Sequence, residues 1–266
     1  MRLSDAVRLL SGAGIEDAKR EARIIFIELC KKSELDILDK DCESPLADEA
    51  VLRRCKREPL QYIIGKVGFF SEEYFVSPAC LIPRADTEIL VEQAVKRIPE
   101  GEYFIDLCTG SGCIAISTLS NTKNTRCAAV DISEDALLLA KKNAEHNGVS
   151  DRIELLNADA VKKEVEGEFF ALLSNPPYIR KEVYEKLETE IFHEPKIALV
   201  AEDGGLFFYK KIIPLYKNKI KAGGFMAFEI GYDQGDALLE IAKNNGLEAQ
   251  IIKDYSGNDR VALIEM

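Results

Sequence analysis

The residues best placed to do chemistry fall where apolar runs end. YFIDLC runs straight into a glycine loop, so that Thr109, Gly110, Ser111 and Gly112 follow Cys108. Glycine lets a backbone pass close to a ligand, and a helix opening at the loop offers unpaired N–H groups. The loop is not a P-loop, because no Gly-Lys-Ser/Thr follows, and it lacks the third glycine of the full dinucleotide fingerprint. The next run ends AVDIS and places Asp131 about 20 residues beyond the glycines, where a carboxylate can accept hydrogen bonds from both ribose hydroxyls. The run after that ends NADA, with Asp159 positioned to meet an adenine edge. Either acid alone reads as a cap or a surface charge. A glycine loop and two acids on three consecutive strand ends describe a nucleoside pocket.

A further apolar run, FFALLS, stops on Asn175, Pro176, Pro177 and Tyr178. Proline lacks an N–H and fixes φ, so two in succession end a strand. That accounts for the prolines. It does not account for a carboxamide and a phenol flanking them at the mouth of a parallel sheet, where open α/β folds place their ligands.

The elements that must position these residues follow from periodicity. After Gly101, the runs EYFIDLC, RCAAVDI, RIELLNA, FFALLSN and GFMAFEI alternate with helical segments such as SEDALLLAKKNAEHNG, capped by Ser133 and closed by Gly148. Such alternation implies an α/β fold with a doubly wound, mostly parallel sheet. At the end, EAQIIKDYSGNDRVALIEM puts two strands around a Ser-Gly-Asn-Asp turn, which predicts an antiparallel C-terminal edge. Before it, residues 3–57 read as short helices: EDAKREARIIFIELCKK has helical spacing, and SPLADEAVLRRCKR opens with Ser44 as N-cap and Pro45 at the first helical position. Between them, QYIIGKVGFFSEEYFVSPACLIPR predicts a β-hairpin, with Gly65, Gly68 and Ser71-Glu72-Glu73 between its runs. Asp86 or Thr87 then caps a helix through Ile98.

Composition narrows the classes. The 266 residues are 47% hydrophobic, enough for one large or two modest domains. No window approaches the roughly 18 to 20 apolar residues of a membrane span, and MRLSDAVRLL lacks a signal-peptide pattern, so a cytoplasmic protein is expected. Seven dispersed cysteines without a Cys-x-x-Cys pair, and only two histidines, argue against a disulfide framework, a zinc site or a Cys/His nucleophile. Residues 1–60 carry 12 Lys/Arg against 13 Asp/Glu and the remainder 23 against 33, giving a net charge of −11. A protein that tracks nucleic-acid phosphates normally has the opposite sign. The one basic knot, RRCKR from Arg53 to Arg57, reads either as a solvated helix end or as a contact with an anionic partner.

The glycine loop, the ribose acid and the strand ending in Asn-Pro-Pro-Tyr resemble the class I S-adenosylmethionine-dependent methyltransferases that act on planar nitrogen. Within that class the chain resembles the release factor glutamine methyltransferases, the PrmC/HemK family. The segments that carry the resemblance are EPLQYIIGKVGFF, LIPRADTEILVE, DLCTGSGCIAIS, AVDISEDALLLAKKNAEHNG, SNPPYIR, HEPKIALVAEDGGLFFYKKII, FEIGYDQGDAL and KDYSGNDRVAL. Three departures stand out: Cys108 sits where the family loop usually has glycine, Ala160 where an aromatic often packs on adenine, and RADTE replaces RPETE.

The resemblance implies a seven-stranded Rossmann-like methyltransferase sheet over residues 84–266, a linker with a β-hairpin at 61–83, and a helical substrate-docking domain at 1–60. It implies S-adenosyl-L-methionine as cofactor, leaving S-adenosyl-L-homocysteine, bound by Cys108, Thr109, Gly110, Ser111, Gly112, Asp131, Asp159, Ala160 and Asn175. The substrate it implies is the glutamine of the Gly-Gly-Gln loop of class I peptide-chain release factors, methylated at its amide nitrogen (N5), which modulates translation termination. No metal, membrane or direct nucleic-acid contact is expected, and the protein is expected to be a monomer. An amide nitrogen is a poor nucleophile, because its lone pair is delocalised, so geometry must carry the catalysis. In that reading Asn175 and the Pro176 carbonyl can accept hydrogen bonds from the substrate NH2 and Tyr178 can pack on the planar amide, so Asn175, Pro176, Pro177 and Tyr178 are expected to form the substrate site. No catalytic histidine is required, so His146 and His193 are read as structural. Two other readings use the same residues: methylation of a nucleic-acid base amine, and non-catalytic binding of the cofactor. Acidity disfavours the first and an intact Asn-Pro-Pro-Tyr the second.

Overall fold

The computed structural model describes residues 1–38, 42–162 and 164–266, so positions 39–41 of the expected helical stretch lie outside the described residues. The chain forms two units, one of Met1–Lys66 with Glu188–His193, the other of Val67–Leu187 with Glu194–Met266.

In the N-terminal unit, α1 (Leu3–Gly12), α2 (Ala18–Glu28), α3 (Ala47–Cys55) and the short α4 (Leu60–Ile64) surround one core. Each long helix buries residues three and four apart, such as Leu3, Ala6 and Leu10, or Ala18, Ala22 and Ile25. The spacing puts one apolar stripe inward on each helix. Ser44 does cap a turn, its hydroxyl accepting the Leu46 N–H at 3.3 Å, but the regular helix begins at Ala47 rather than Pro45. The arginines of the basic knot are engaged in ion pairs. Arg53 pairs with Glu58, Arg54 with Glu21 and Glu190, and Arg57 with Glu190 and the Gly14 carbonyl. Its arginines are bound within the unit, and two of them hold Glu190 of the Glu188–His193 segment.

The second unit opens with a hairpin of β1 (Lys66–Phe69) and β2 (Glu72–Phe75). Its turn is tighter than the polar stretch suggested. Phe70 takes a φ of 59°, Gly68 lies inside β1, and Glu72 and Glu73 already belong to β2. Then come α5 (Glu88–Arg97), β3 (Tyr103–Leu107), α6 (Cys113–Ser120), β4 (Arg126–Asp131), α7 (Glu134–His146), β5 (Ile153–Asn157), β6 (Phe169–Ser174) and the single-turn α8 (Lys181–Tyr184). They are followed by α9 (Phe207–Tyr216), β7 (Ile220–Glu229), α10 (Gly235–Asn244), β8 (Glu248–Lys253) and β9 (Asp259–Glu265). Among the described residues, seven strands form one sheet in the order β5-β4-β3-β6-β7-β9-β8. It is parallel except that β9 runs antiparallel to both β7 and β8, the expected C-terminal edge.

Side chains alternate across a strand, and both faces here are covered. Phe104, Ala171 and Leu173 face the layer of α5 and α6, while Ile105, Leu107, Leu172 and Met226 face α9 and α10. Near-continuous apolar runs follow from that double burial. Ser133 caps α7 as expected, accepting the Ala136 N–H at 3.2 Å, and Gly148 takes a φ of 69° beyond its end. Neither Asp86 nor Thr87 caps α5 with its side chain. Residues 85–87 form a 3-10 turn instead, and the Thr87 hydroxyl is engaged elsewhere. His146 packs beside Phe75 with ring centroids 4.9 Å apart. No helix among the described residues is long and apolar enough to cross a membrane.

Candidate active site

The sheet register assembles the site. Leu107 lies level with Val130 on one side and Ser174 on the other, so Cys108, Asp131 and Asn175 emerge next to one another at the C-terminal ends of β3, β4 and β6. Asp131 is opposite Asn157, which brings Asp159 to the same edge two residues later. A cavity of about 350 Å³ opens there, within the range of small-molecule sites. Its wall contains Cys108, Thr109, Gly110, Ser111, Asp131, Asp159, Ala160, Asn175 and Pro177. Gly112, Pro176 and Tyr178 are not among its lining residues.

The glycine loop is fastened from several directions. Thr109 N–H donates to the Val130 carbonyl at 3.0 Å and its hydroxyl to Asp106 Oδ2 at 2.5 Å. Gly110, at a φ of 55°, sends its N–H to Asp131 Oδ2 at 2.8 Å, while Ser133 N–H donates to Oδ1 at 2.9 Å. The buried Asn143 of α7 donates to the Ser111 carbonyl at 2.9 Å and exchanges hydrogen bonds with the backbone of Phe75, tying hairpin, helix and loop together. Gly112 has a φ of 81°, and a Cβ there would stand 2.9 Å from Ile116 and 3.2 Å from Ala140. It serves the approach of α6 to α7 rather than the cavity. Cys108 has a φ of 60°, in the left-handed region where a side chain costs roughly 1–2 kcal/mol. The departure from glycine at this position is therefore a strained one.

Charge in the site is shaped by burial. Burial raises the Asp131 carboxyl, and the Ser133 and Gly110 amides oppose it. Asp106, fully buried beneath the loop, is pushed up to about 7 by burial against the pull of Thr109 and the Ala115 amide, and its Oδ1 has no hydrogen-bond partner among the described residues. Asp159 pairs with Lys162 at 3.0 Å. The cavity thiols of Cys80, Cys108 and Cys113 are raised by burial, that of Cys113 to about 12, so they stay protonated and are poor nucleophiles.

At the end of β6, Ser174 Oγ donates to the Leu107 carbonyl at 2.7 Å and locks the strand against β3. Asn175 Nδ2 donates to Thr87 Oγ1 at 3.3 Å. The Pro176 carbonyl receives no hydrogen bond from a described residue, which leaves it free as an acceptor. Tyr178 donates its hydroxyl to Glu229 Oε1 at 3.0 Å, and its ring packs with the core under α9 and α10. Its carbonyl accepts from Gln234 Nε2 at 3.3 Å and lies against Gly205, where a Cβ would collide with it.

Sequence reasoning missed Thr87, Glu229, Asp106 and Asn143. An acid closing the run GFMAFE was the available signal for Glu229, because acids at the ends of parallel strands face ligands. Arg84, part of the LIPR segment but given no role there, lines the cavity and is ion-paired with the buried Glu194, which also accepts the Ile82 N–H at 3.0 Å.

Comparison with known proteins agrees with this architecture. Residues 84–222 match the family model described as the methyltransferase small domain, and residues 3–65 that of the PrmC N-terminal domain. The chain is 36% identical to the release factor glutamine methyltransferase of Moorella thermoacetica, over 98% of this chain and 96% of that protein. It is 34% identical to the enzyme of the same name from Escherichia coli, with the same coverage of 98% and 96%. The fold resembles a methyltransferase from Pyrococcus furiosus with a TM-score of 0.54 at 22% identity, covering 72% of this chain and 86% of that one.

Proposed function

The chain belongs to the release factor glutamine methyltransferase family, and from that premise we propose that it methylates the side-chain amide nitrogen of the glutamine in the Gly-Gly-Gln loop of class I release factors. The observation that carries the reading is a single cavity wall holding both the Asp131 carboxylate and the Asn175 carboxamide. The same wall suits S-adenosylmethionine. It has a backbone close to the ligand space at Gly110, an acid for the ribose at Asp131, and apolar flanks at Ile132, Ala160 and Phe208. When bound, this cofactor supplies an electrophilic methyl group on a sulfonium sulfur.

The protein's own residues bind and orient. Each oxygen of Asp131 already takes one backbone N–H and keeps a second lone-pair site for a ribose hydroxyl. Asp159 and Ala160 flank the adenine end. Asn175 Oδ1 and the Pro176 carbonyl accept the two hydrogens of the substrate NH2, which orients the amide nitrogen and favours electron density on it as the new bond forms. The nitrogen becomes strongly acidic once methylated, so its proton leaves without a dedicated base. Pro177 shapes the wall. Tyr178 braces the turn through its hydroxyl; neither its ring nor Pro176 is among the residues that line the cavity, so the parts expected of them are not supplied by that lining.

The N-terminal unit is assigned the docking of the release factor, whose two loop glycines let a narrow backbone deliver one side chain into the site. The protein is assigned to the cytoplasm as a monomer, and its net charge of −11 disfavours a nucleic-acid substrate. Mass spectrometry tests the reading. Purified class I release factor incubated with the protein and S-adenosylmethionine gains one methyl group on the glutamine of the Gly-Gly-Gln peptide, and duplex DNA treated in parallel gains none. Methylated DNA with unmodified release factor overturns it.

A further inference from the structure

Asp86 and Thr87 are residue types that cap helices, and they stand at the start of α5, yet neither side chain caps it. Each reaches to another element instead. Asp86 Oδ2 pairs with Arg260 at 3.1 Å, while the buried Thr87, which lines the cavity, accepts a hydrogen bond from Asn175 Nδ2 at 3.3 Å. The turn of residues 85–87 therefore holds β9 with one side chain and the head of the Asn-Pro-Pro-Tyr turn with the next.

Arg260 reaches Asp86 because of the antiparallel edge. β9 lies beside β7, with Val261 opposite Glu229 and the Ile230 N–H donating to the Arg260 carbonyl at 2.9 Å, so Arg260 stands at the end of β7 that faces the site. The nitrogen that meets Asp86 also donates to Asp254 Oδ2 at 3.2 Å. Asp254 in turn closes the Ser-Gly-Asn-Asp turn, its Oδ1 accepting the Ser256 and Asn258 N–H groups at 2.9 and 2.8 Å. Arg260 is thus seated on a carboxylate that its own turn holds rigid. Its side chain is 12% exposed against 55% for Asp86, and a pair with one buried member is screened less than a surface pair. Arg260 Nε is buried with no partner among the described residues. An arginine with an orphaned donor is a costly way to stabilise a fold, so its use lies in where it places Asp86.

We propose that Arg260 is a positioning residue for the methyl transfer: its ion pair with Asp86 fixes the 85–87 turn, and that turn presents Thr87 to the NH2 of Asn175, leaving the carboxamide oxygen for the substrate. The inference rests on the reading of the cavity as an amide methyltransferase site. It gives one task to two stretches far apart in the chain, RADTE and SGNDR.

The test uses the full chain and intact release factor. Arg260→Gln and Asp86→Ala each lower kcat about 5- to 50-fold, and Thr87→Val about 10- to 100-fold, the scale of a misplaced reacting group. KM for release factor and the Kd for S-adenosylhomocysteine stay within about threefold of the parent. Combining Asp86→Ala with Thr87→Val slows the enzyme by no more than about twofold beyond Thr87→Val alone, because groups on one route are not additive. Losses that multiply in the double variant overturn the inference, as does parental kcat in Asp86→Ala. An Arg260→Gln protein that fails to fold leaves the half-exposed Asp86 to decide. A parent that fails to methylate release factor overturns the assigned reaction instead. The positioning is then read from the Asn175 side-chain amide resonances of the ligand-free protein, which move in Asp86→Ala and in Thr87→Val. Resonances that move in Thr87→Val but not in Asp86→Ala overturn the inference, as do resonances unmoved in both.

Discussion

Gly110 and Asp131 are hydrogen-bonded to each other, N–H to Oδ2 at 2.8 Å, so the glycine loop after β3 and the acid at the end of β4 form one unit without a ligand. The ribose acid therefore has a second task. Its other oxygen holds the Ser133 amide, at the start of the turn into α7.

That double duty sets the first prediction. Asp131→Ala removes the ribose acceptor and leaves two amides without their partner, so cofactor affinity falls by roughly 1–3 kcal/mol. Asp131→Asn is not a mild change. It keeps one acceptor but turns an NH2 towards the other amide, and binds the cofactor less tightly than the parent. Calorimetric titration with S-adenosylhomocysteine checks both, and parental affinity in the alanine variant removes Asp131 from the ribose role.

The strain at Cys108 makes a stability prediction with an internal ordering. Glycine tolerates a φ of 60°, whereas a β-branched residue there is a genuine outlier. Cys108→Gly gains the relief of strain but gives up the packing of a half-buried thiol and some unfolded-chain restriction, for a net gain of about 0.5–1 kcal/mol. Cys108→Val loses at least about 1 kcal/mol. Urea midpoints should rank Gly, Cys, Val from most to least stable; valine equal to glycine would mean the backbone is unstrained.

What was legible in the sequence, and what was not, follows from the range of each interaction. The glycines, Asp131 and Asn175 could be read because each stands just past an apolar run, and parallel register then aligns the ends. The strand alternation and the antiparallel edge were local patterns too. Thr87 and Asn175 meet only because the chain before α5 and the end of β6 converge, and no periodicity reports that. Cys108 looked like a departure from a motif, yet only its φ shows that it is strained. Glu188–His193 reads as part of the catalytic chain, and its place in the N-terminal unit rests on contacts such as Glu190 with Arg54 and Arg57. RRCKR looked cationic because its acidic partners are scattered from Glu21 to Glu190.

Asp106 predicts a pH dependence. Its folded carboxyl is raised from 3.8 to about 7, so between those values the folded chain holds a proton that the unfolded chain has released. Its contribution to stability is fully present below pH 3.8 and is lost as pH rises through about 7. Asp106→Asn keeps an acceptor for Thr109 and has no charge to bury. Its stability relative to the parent should therefore increase from pH 5 to pH 8, by roughly 2–4 kcal/mol. Unfolding free energies at the two pH values check this. A difference that does not change with pH places the ionisation elsewhere.

Asn175 carries the sharpest prediction, because its two ends have different duties. Asn175→Ala removes the acceptor that matters most as the substrate nitrogen becomes tetrahedral, and kcat falls by about 30- to 1,000-fold, or roughly 2–4 kcal/mol. Cofactor affinity changes far less, since the ribose and adenine ends are held by Asp131 and Asp159. Asn175→Asp is the finer probe. It keeps an oxygen for the substrate but loses the NH2 that now donates to Thr87, and it sets a carboxylate at the strand end next to that of the buried Glu229, whose Oε2 has no partner among the described residues. Repulsion between the two acids favours protonation of one of them, so the variant is slower than the parent and regains activity as pH falls. Single-turnover methylation across pH separates the cases. An alanine variant as fast as the parent makes Asn175 no more than the end of a strand.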